Sequence, residues 1–151
     1  MMSTAPLKTT PTARESFYLM GIQVVPKVLA EETDGQFSMV EERVEPGAGS
    51  PPHSGRNASK VFYVAEGEFE FRVGTLTRRG RTGDAVVIPA GAIHSFTNAG
   101  TTRGRLFVTF TPAGHEDFLR EMSDLFQREE VQPKEVEAIS ARHGVELLAA
   151  P

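Results

Sequence analysis

Cysteine and tryptophan are absent from this 151-residue chain, and tyrosine is limited to Tyr18 and Tyr63. Without cysteine there is no disulfide framework, zinc ribbon, thiol redox pair or cysteine nucleophile. No stretch approaches the run of roughly 18 or more apolar residues that marks a membrane-spanning helix. The opening MMSTAPLKTTPTARES has neither the cationic start nor the apolar core of a secretory leader. The expectation is a soluble, cytoplasmic protein with no membrane partner. Positive charge is also short: 16 Lys and Arg stand against 20 Asp and Glu, a net charge of -4. Nucleic-acid binding draws on a cationic footprint, so no nucleic-acid partner is expected.

What is present is β-type. A chain this long buries roughly two thirds of its unfolded surface, enough for one core, and one domain over 16–151 is the working count. Residues 1–15, rich in Thr, Pro and Ala, read as a flexible N-terminal arm. Phe17 to Leu29 holds short β runs, with Pro26 expected at an edge or strand end because it cannot donate to a ladder. FSMVEERV (37–44) alternates, which sends Glu41 and Glu42 to opposite faces. Pro46 to Pro52 is turn chemistry. Lys60 to Ala65 and EFEFRV (68–73) are strands about a Glu66-Gly67 turn, with Phe69, Phe71 and Val73 on one face. TLTRRGR (75–81) reads as a solvated basic hairpin region, and GRLFVTFT (104–111) as a further strand. Short strands at this spacing suggest a sandwich or barrel, a jelly roll spanning about 16–112. After Pro112 the period becomes helical: Phe118, Leu119, Met122, Leu125 and Phe126 share one face, and Pro133 opens a second helix that Gly144 caps. These two helices, over about 116–144, are expected to pack on the outside of a sheet. His115 and His143 are expected at the surface.

Two histidines follow Gly- and Pro-rich approaches to strands. His53 lies in GAGSPPHSGRNASKVFYVAEG (47–67) and His94 in GDAVVIPAGAIHSFTN (83–98). Five residues separate Gly47 from His53. In the second stretch five residues separate Gly83 from Pro89, Gly91 follows, two residues separate Gly91 from His94, and three separate His94 from Asn98. This pattern over about 37–111 resembles the two motifs of the cupin superfamily, and the C-terminal helices are similar to those of small quercetin dioxygenase-like cupins. The resemblance implies an all-β cupin β-jelly-roll (double-stranded β-helix) with two short C-terminal α-helices. It also implies a metal held by two histidines and a glutamate of the first motif and one histidine of the second. Carried across, only His53 and His94 match. Gly55 stands at the second histidine, and Lys60, or Ser59 in the shorter register, at the glutamate.

By strand parity Lys60 points inward. An ammonium about 5 Å from a divalent ion would be repelled by roughly 6 to 7 kcal/mol at an effective dielectric near 20. The cofactor expectation is therefore none, or a weakly held divalent transition metal (Fe, Ni, Mn, Zn or Cu) on the incomplete pair His53 and His94. The expected pocket has His53, Lys60 and His94 as catalytic residues and Gly55, Phe62, Phe71 and Phe96 against a small-molecule ligand. Three functions fit: a small-molecule-binding cupin with a degenerate metal site, acting as a metal-independent isomerase or cyclase; a metal-dependent dioxygenase; or a non-catalytic sensing or assembly module. In the first, Lys60 supplies the positive charge and His53 or His94 moves a proton. Val61 and Tyr63 fall on the outer face of their strand and need cover, so a homodimer is expected.

Overall fold

The computed structural model describes Thr9 and residues 14–148. In chain order the strands are β1 (Phe17–Leu19), β2 (Ile22–Val28), β3 (Ser38–Val44), β4 (Gly49–Gly55), β5 (Ser59–Glu66), β6 (Glu68–Val73), β7 (Leu76–Arg81), β8 (Ala85–Ile88), β9 (His94–Asn98) and β10 (Gly104–Thr111). Helices α1 (His115–Phe126) and α2 (Pro133–Arg142) follow, and then a short strand, β11 (Val145–Leu147). Two antiparallel sheets form, one ordered β1-β2-β3-β10-β5-β8 and the other β11-β4-β9-β6-β7. This is the expected all-β architecture with two C-terminal helices.

Alternation decides what faces the space between the sheets. On β10, Leu106, Val108 and Phe110 turn inward; on β5, Phe62 and Val64 do, and Lys60 shares their parity. From the opposite sheet Phe69, Phe71 and Phe96 complete an aromatic cluster with Phe62, with ring centroids 5.4 to 6.2 Å apart. Each such ring contributes on the order of 1.5–3 kcal/mol by burial, so the dry half of the interior lies at this end. The outer parity leaves Tyr63 46% and Val87 64% exposed, beside Val61.

One local expectation changes, that of turn chemistry through Pro51 and Pro52, while Pro26 and the basic segment 75–81 take the edge and hairpin positions their chemistry implies. Pro26 lies within β2 and not at its end; β1 pairs only with Ile22 to Val24, so the ladder edge beside Pro26 is open. Pro51 and Pro52 lie inside β4, where the pairing to β9 shifts register between Ser50 and His53; this bulge accommodates two residues that cannot donate. Within the basic segment 75–81, β7 is an edge strand pairing Arg79 and Arg81 with Glu70 and Glu68 of β6, and its charges blunt an open edge. The expected N-terminal arm lies outside the described residues apart from Thr9, Arg14 and Glu15, and Arg14 pairs with Glu32 at 2.6 Å.

Candidate functional site

β4 and β9 are neighbours in register such that His53 faces His94, with ring centroids 4.3 Å apart. The Gly91 turn (φ 82°) before β9 aims His94 inward. Each ring is oriented by its own backbone. His53 Nδ1 lies 2.8 Å from the Pro51 carbonyl and His94 Nδ1 2.9 Å from the Ala92 carbonyl. A carbonyl only accepts, so both Nδ1 atoms carry the proton and both Nε2 atoms present bare lone pairs to the interior.

Those lone pairs meet Lys60, which reaches across from β5. Its Nζ is 3.0 Å from His53 Nε2 and 3.1 Å from His94 Nε2, and the side chain is buried, with 4% exposure. A third imidazole closes the set: His115 Nε2, from the first residue of α1, is 3.4 Å away. An ammonium has three N–H donors, and three acceptors surround it. The His115 ring is held between Phe110 and Phe118, at 5.0 and 5.3 Å. The helix start is fastened by Glu116, whose Oε2 accepts from Ser38 Oγ of β3 at 2.6 Å and from the Gly114 amide at 3.1 Å.

Burial, then the Lys60 charge, then His94 push His53 down to about 3, and burial and Lys60 push His94 down to about 4. His115 lies well below its ordinary value, from burial first and Lys60 next. Burial lowers Lys60 to about 8, opposed by the charge of Glu42, so the ammonium form holds at neutral pH. Burial raises Glu42 to about 7, with Lys60 pulling the other way. Its neighbour Glu41 faces outward as parity requires, accepting from Arg43 and Arg105 at 2.9 Å each.

A cavity of about 220 Å³ opens on this cluster between the sheets and α1. Its wall includes His53, Lys60, His115 and Glu42 among mostly apolar side chains. Of the expected pocket residues, Phe62 and Phe96 line it; Phe71 instead lies in the core, its ring 5.4 Å from that of Phe62. Gly55 lines a separate, more polar hollow on the far side of Lys60 and His115, where a Cβ would meet open space. His115 was expected at the surface and is instead the third nitrogen on Lys60, because the turn after β10 starts α1 beside the cluster. His143 does remain peripheral, 3.0 Å from Glu121. The helical stripe, too, departs from expectation. Phe118, Leu119, Met122, Phe126 and Val136 wall the cavity rather than the outside of a sheet.

The residues present do not fit a bound metal. Among the described residues no group of three or more His, Asp or Glu is placed to hold one. The three imidazole nitrogens stand 3.0 to 3.4 Å from an ammonium, whereas a zinc ion takes nitrogen at about 2.0–2.1 Å. The space between them is occupied by the Lys60 ammonium.

Two sheets closed over a mostly apolar cavity, with His53 and Lys60 on its wall, define a jelly-roll domain built around an internal pocket; His94 reaches Lys60 but does not itself line the cavity. Residues 40–110 match the cupin domain family, and the chain belongs to the cupin superfamily. Among solved structures it is similar to KdgF from Halomonas sp. at 20% identity, covering 74% of this chain and 99% of that one, with a TM-score of 0.66. An RmlC-like cupin from Shewanella frigidimarina matches at 24% identity over 74% and 99% of the two chains, TM-score 0.60. A structure described as a sugar phosphate isomerase from a cupin superfamily, from Silicibacter pomeroyi, matches at 26% over 60% and 59%, TM-score 0.52. A comparison with curated proteins finds no significant match. The specific likeness to quercetin dioxygenases is not among these matches.

The depressed histidines set an acid limit. The unfolded chain binds protons at His53 and His94 below about 6.5, while the folded chain stays neutral there until about 3 to 4. Each depressed histidine therefore lowers stability by about 1.4 kcal/mol per unit as pH drops from 6.5 towards 4, and the raised Glu42 offsets about one histidine's share of this down to its unfolded value of 4.5. Urea titrations should show this slope, and His94→Gln should reduce it. An unchanged slope in His94→Gln would contradict the assignment of a buried neutral ring.

Proposed function

We propose that the chain is a small-molecule-binding cupin in which the Lys60 ammonium, held by His53, His94 and His115, takes the place of the metal ion, and that its chemistry is metal-independent isomerisation or cyclisation. The observation that carries this reading is the convergence of three imidazole Nε2 atoms on Lys60 Nζ. A fixed cation in a dry site stabilises negative charge as it develops on a substrate oxygen. His53 and His94 then act by holding that cation, since both of their ring nitrogens are engaged. Lys60 is the group that meets the substrate oxygen, with Phe62 and Phe96 against the apolar part. The Silicibacter pomeroyi neighbour is described as a sugar phosphate isomerase, and isomerisation is the same reaction class. A dioxygenase would need a divalent metal where the ammonium stands. A sensing module would share the cavity without turnover.

The metal-free reading is tested by elemental analysis of chain purified without a histidine tag or metal column. The expected content is far below one transition-metal ion per chain. Lys60→Ala should free the three nitrogens, so that zinc at about 100 times its Kd stabilises the variant by about 2.7 kcal/mol and leaves the parent chain unaffected. Near-stoichiometric Fe, Ni, Mn, Zn or Cu that is lost in His94→Ala would overturn the proposal.

We also propose a homodimer through the outer face of β5, β8 and β10. Val61 lies opposite Val87 and Tyr63 opposite the half-buried Phe107, so Val61, Tyr63 and Val87 expose one apolar patch on this face. Helix α1 packs against β1 and α2 against β11, away from this face. Sedimentation equilibrium should give a dimer that Tyr63→Lys converts to monomer; a monomeric parent chain at high concentration would contradict it.

A further inference from the structure

Among the described residues Glu42 is the one carboxyl on the cavity wall, and it takes no part in holding Lys60. Its position is set by β3. It lies opposite Val24 of β2 and Leu106 of β10, both fully buried, so it is the single charged side chain in an apolar row. Unlike Glu41, it makes no hydrogen bond among the described residues; the charge that acts on it is that of Lys60. Buried carboxyls ordinarily have partners. One that faces a cavity beside a fixed cation is placed to exchange a proton with whatever fills that cavity.

The rest of the wall says what that is. Around Glu42, Lys60, His53, His115 and Ser50 the lining is otherwise apolar and, among the described residues, holds no arginine. Phosphate recognition calls for a cluster of N–H donors, and the three hydrogens of the Lys60 ammonium already face histidines. The cavity, about 220 Å³, is smaller than the roughly 300–1,000 Å³ of common ligand clefts. Its mouth is apolar too, with Met20 and Phe126 both exposed there.

Resting on the reading of Lys60 as a resident cation, we propose that the substrate is a compact, mainly apolar carbonyl compound with an enolisable α-carbon, and that Glu42 carries its proton. The carbonyl oxygen lies towards Lys60, where the bond to His115 is the longest of the three and the first to yield. The α C–H bond breaks and its proton passes to the Glu42 carboxylate. The electron pair moves into the carbonyl, leaving an enolate oxygen beside the ammonium. Return of the proton from Glu42 to the same or a conjugated carbon gives an isomer, with no oxidant or reductant consumed.

The test uses the full chain, stripped with EDTA, and 1-tetralone as an apolar ketone probe in deuterated buffer. Proton NMR follows exchange of the hydrogens α to the carbonyl, and thermal shift follows binding. The parent chain should bind the probe and accelerate exchange over buffer. Glu42→Gln should keep the thermal shift and lose exchange by about 100-fold or more, and Glu42→Asp should restore part of it. Binding without exchange in the parent chain, or undiminished exchange in Glu42→Gln, would overturn the role of Glu42. Protection by fructose 6-phosphate with none by 1-tetralone would overturn the ligand class. Exchange that needs a metal ion added back after EDTA would instead overturn the reading of Lys60 on which this one rests.

Discussion

One ammonium group shared by three imidazole nitrogens ties this structure together. Burying a charge is costly unless hydrogen bonds satisfy it, and Lys60 is buried with each of its N–H groups facing an acceptor. Those acceptors come from β4, β9 and α1, while Lys60 comes from β5 in the other sheet. The cluster therefore joins both sheets and the first helix at one atom. Removing any one partner leaves either a donor or a ring nitrogen stranded in an apolar interior.

The same arrangement explains the separation of the interior into two halves. Towards Phe69 and Phe71 the sheets close on packed aromatic rings. Towards α1 they stay apart, and the helix supplies Phe118, Leu119 and Met122 as the missing wall. The helix can do so because Glu116 fastens its first turn to Ser38. Binding space and polar cluster are thus produced by one docking event, that of α1 onto the open end of the sandwich.

Much of this was legible in residue order. Alternation in SKVFYVAE turns Lys60, Phe62 and Val64 inward and exposes Val61 and Tyr63, and the Gly83 to Asn98 spacing identifies β9 and His94. His115 was missed because a histidine at a helix start carries no strand parity. A signal existed: His115, Phe118, Leu119 and Met122 stand at i, i+3, i+4 and i+7, which places the ring on the apolar stripe. Glu42 likewise shares its parity with Val40 and Val44. The inward direction of that carboxyl could be read, but the cavity it faces could not. The cavity depends on how far apart two sheets stand and on where a helix docks, and both are tertiary packing outcomes.

The central claim, a lysine ammonium in the place of a metal ion, is tested most directly by long-range ¹H–¹⁵N NMR of the imidazole side chains at neutral pH. His53 and His94 should appear as Nδ1–H tautomers with unprotonated Nε2. Lys60→Met should move the Nε2 signals of His53, His94 and His115 together and leave that of His143 in place. An Nε2–H tautomer at His53 or His94, or Nε2 signals indifferent to Lys60→Met, would contradict the account.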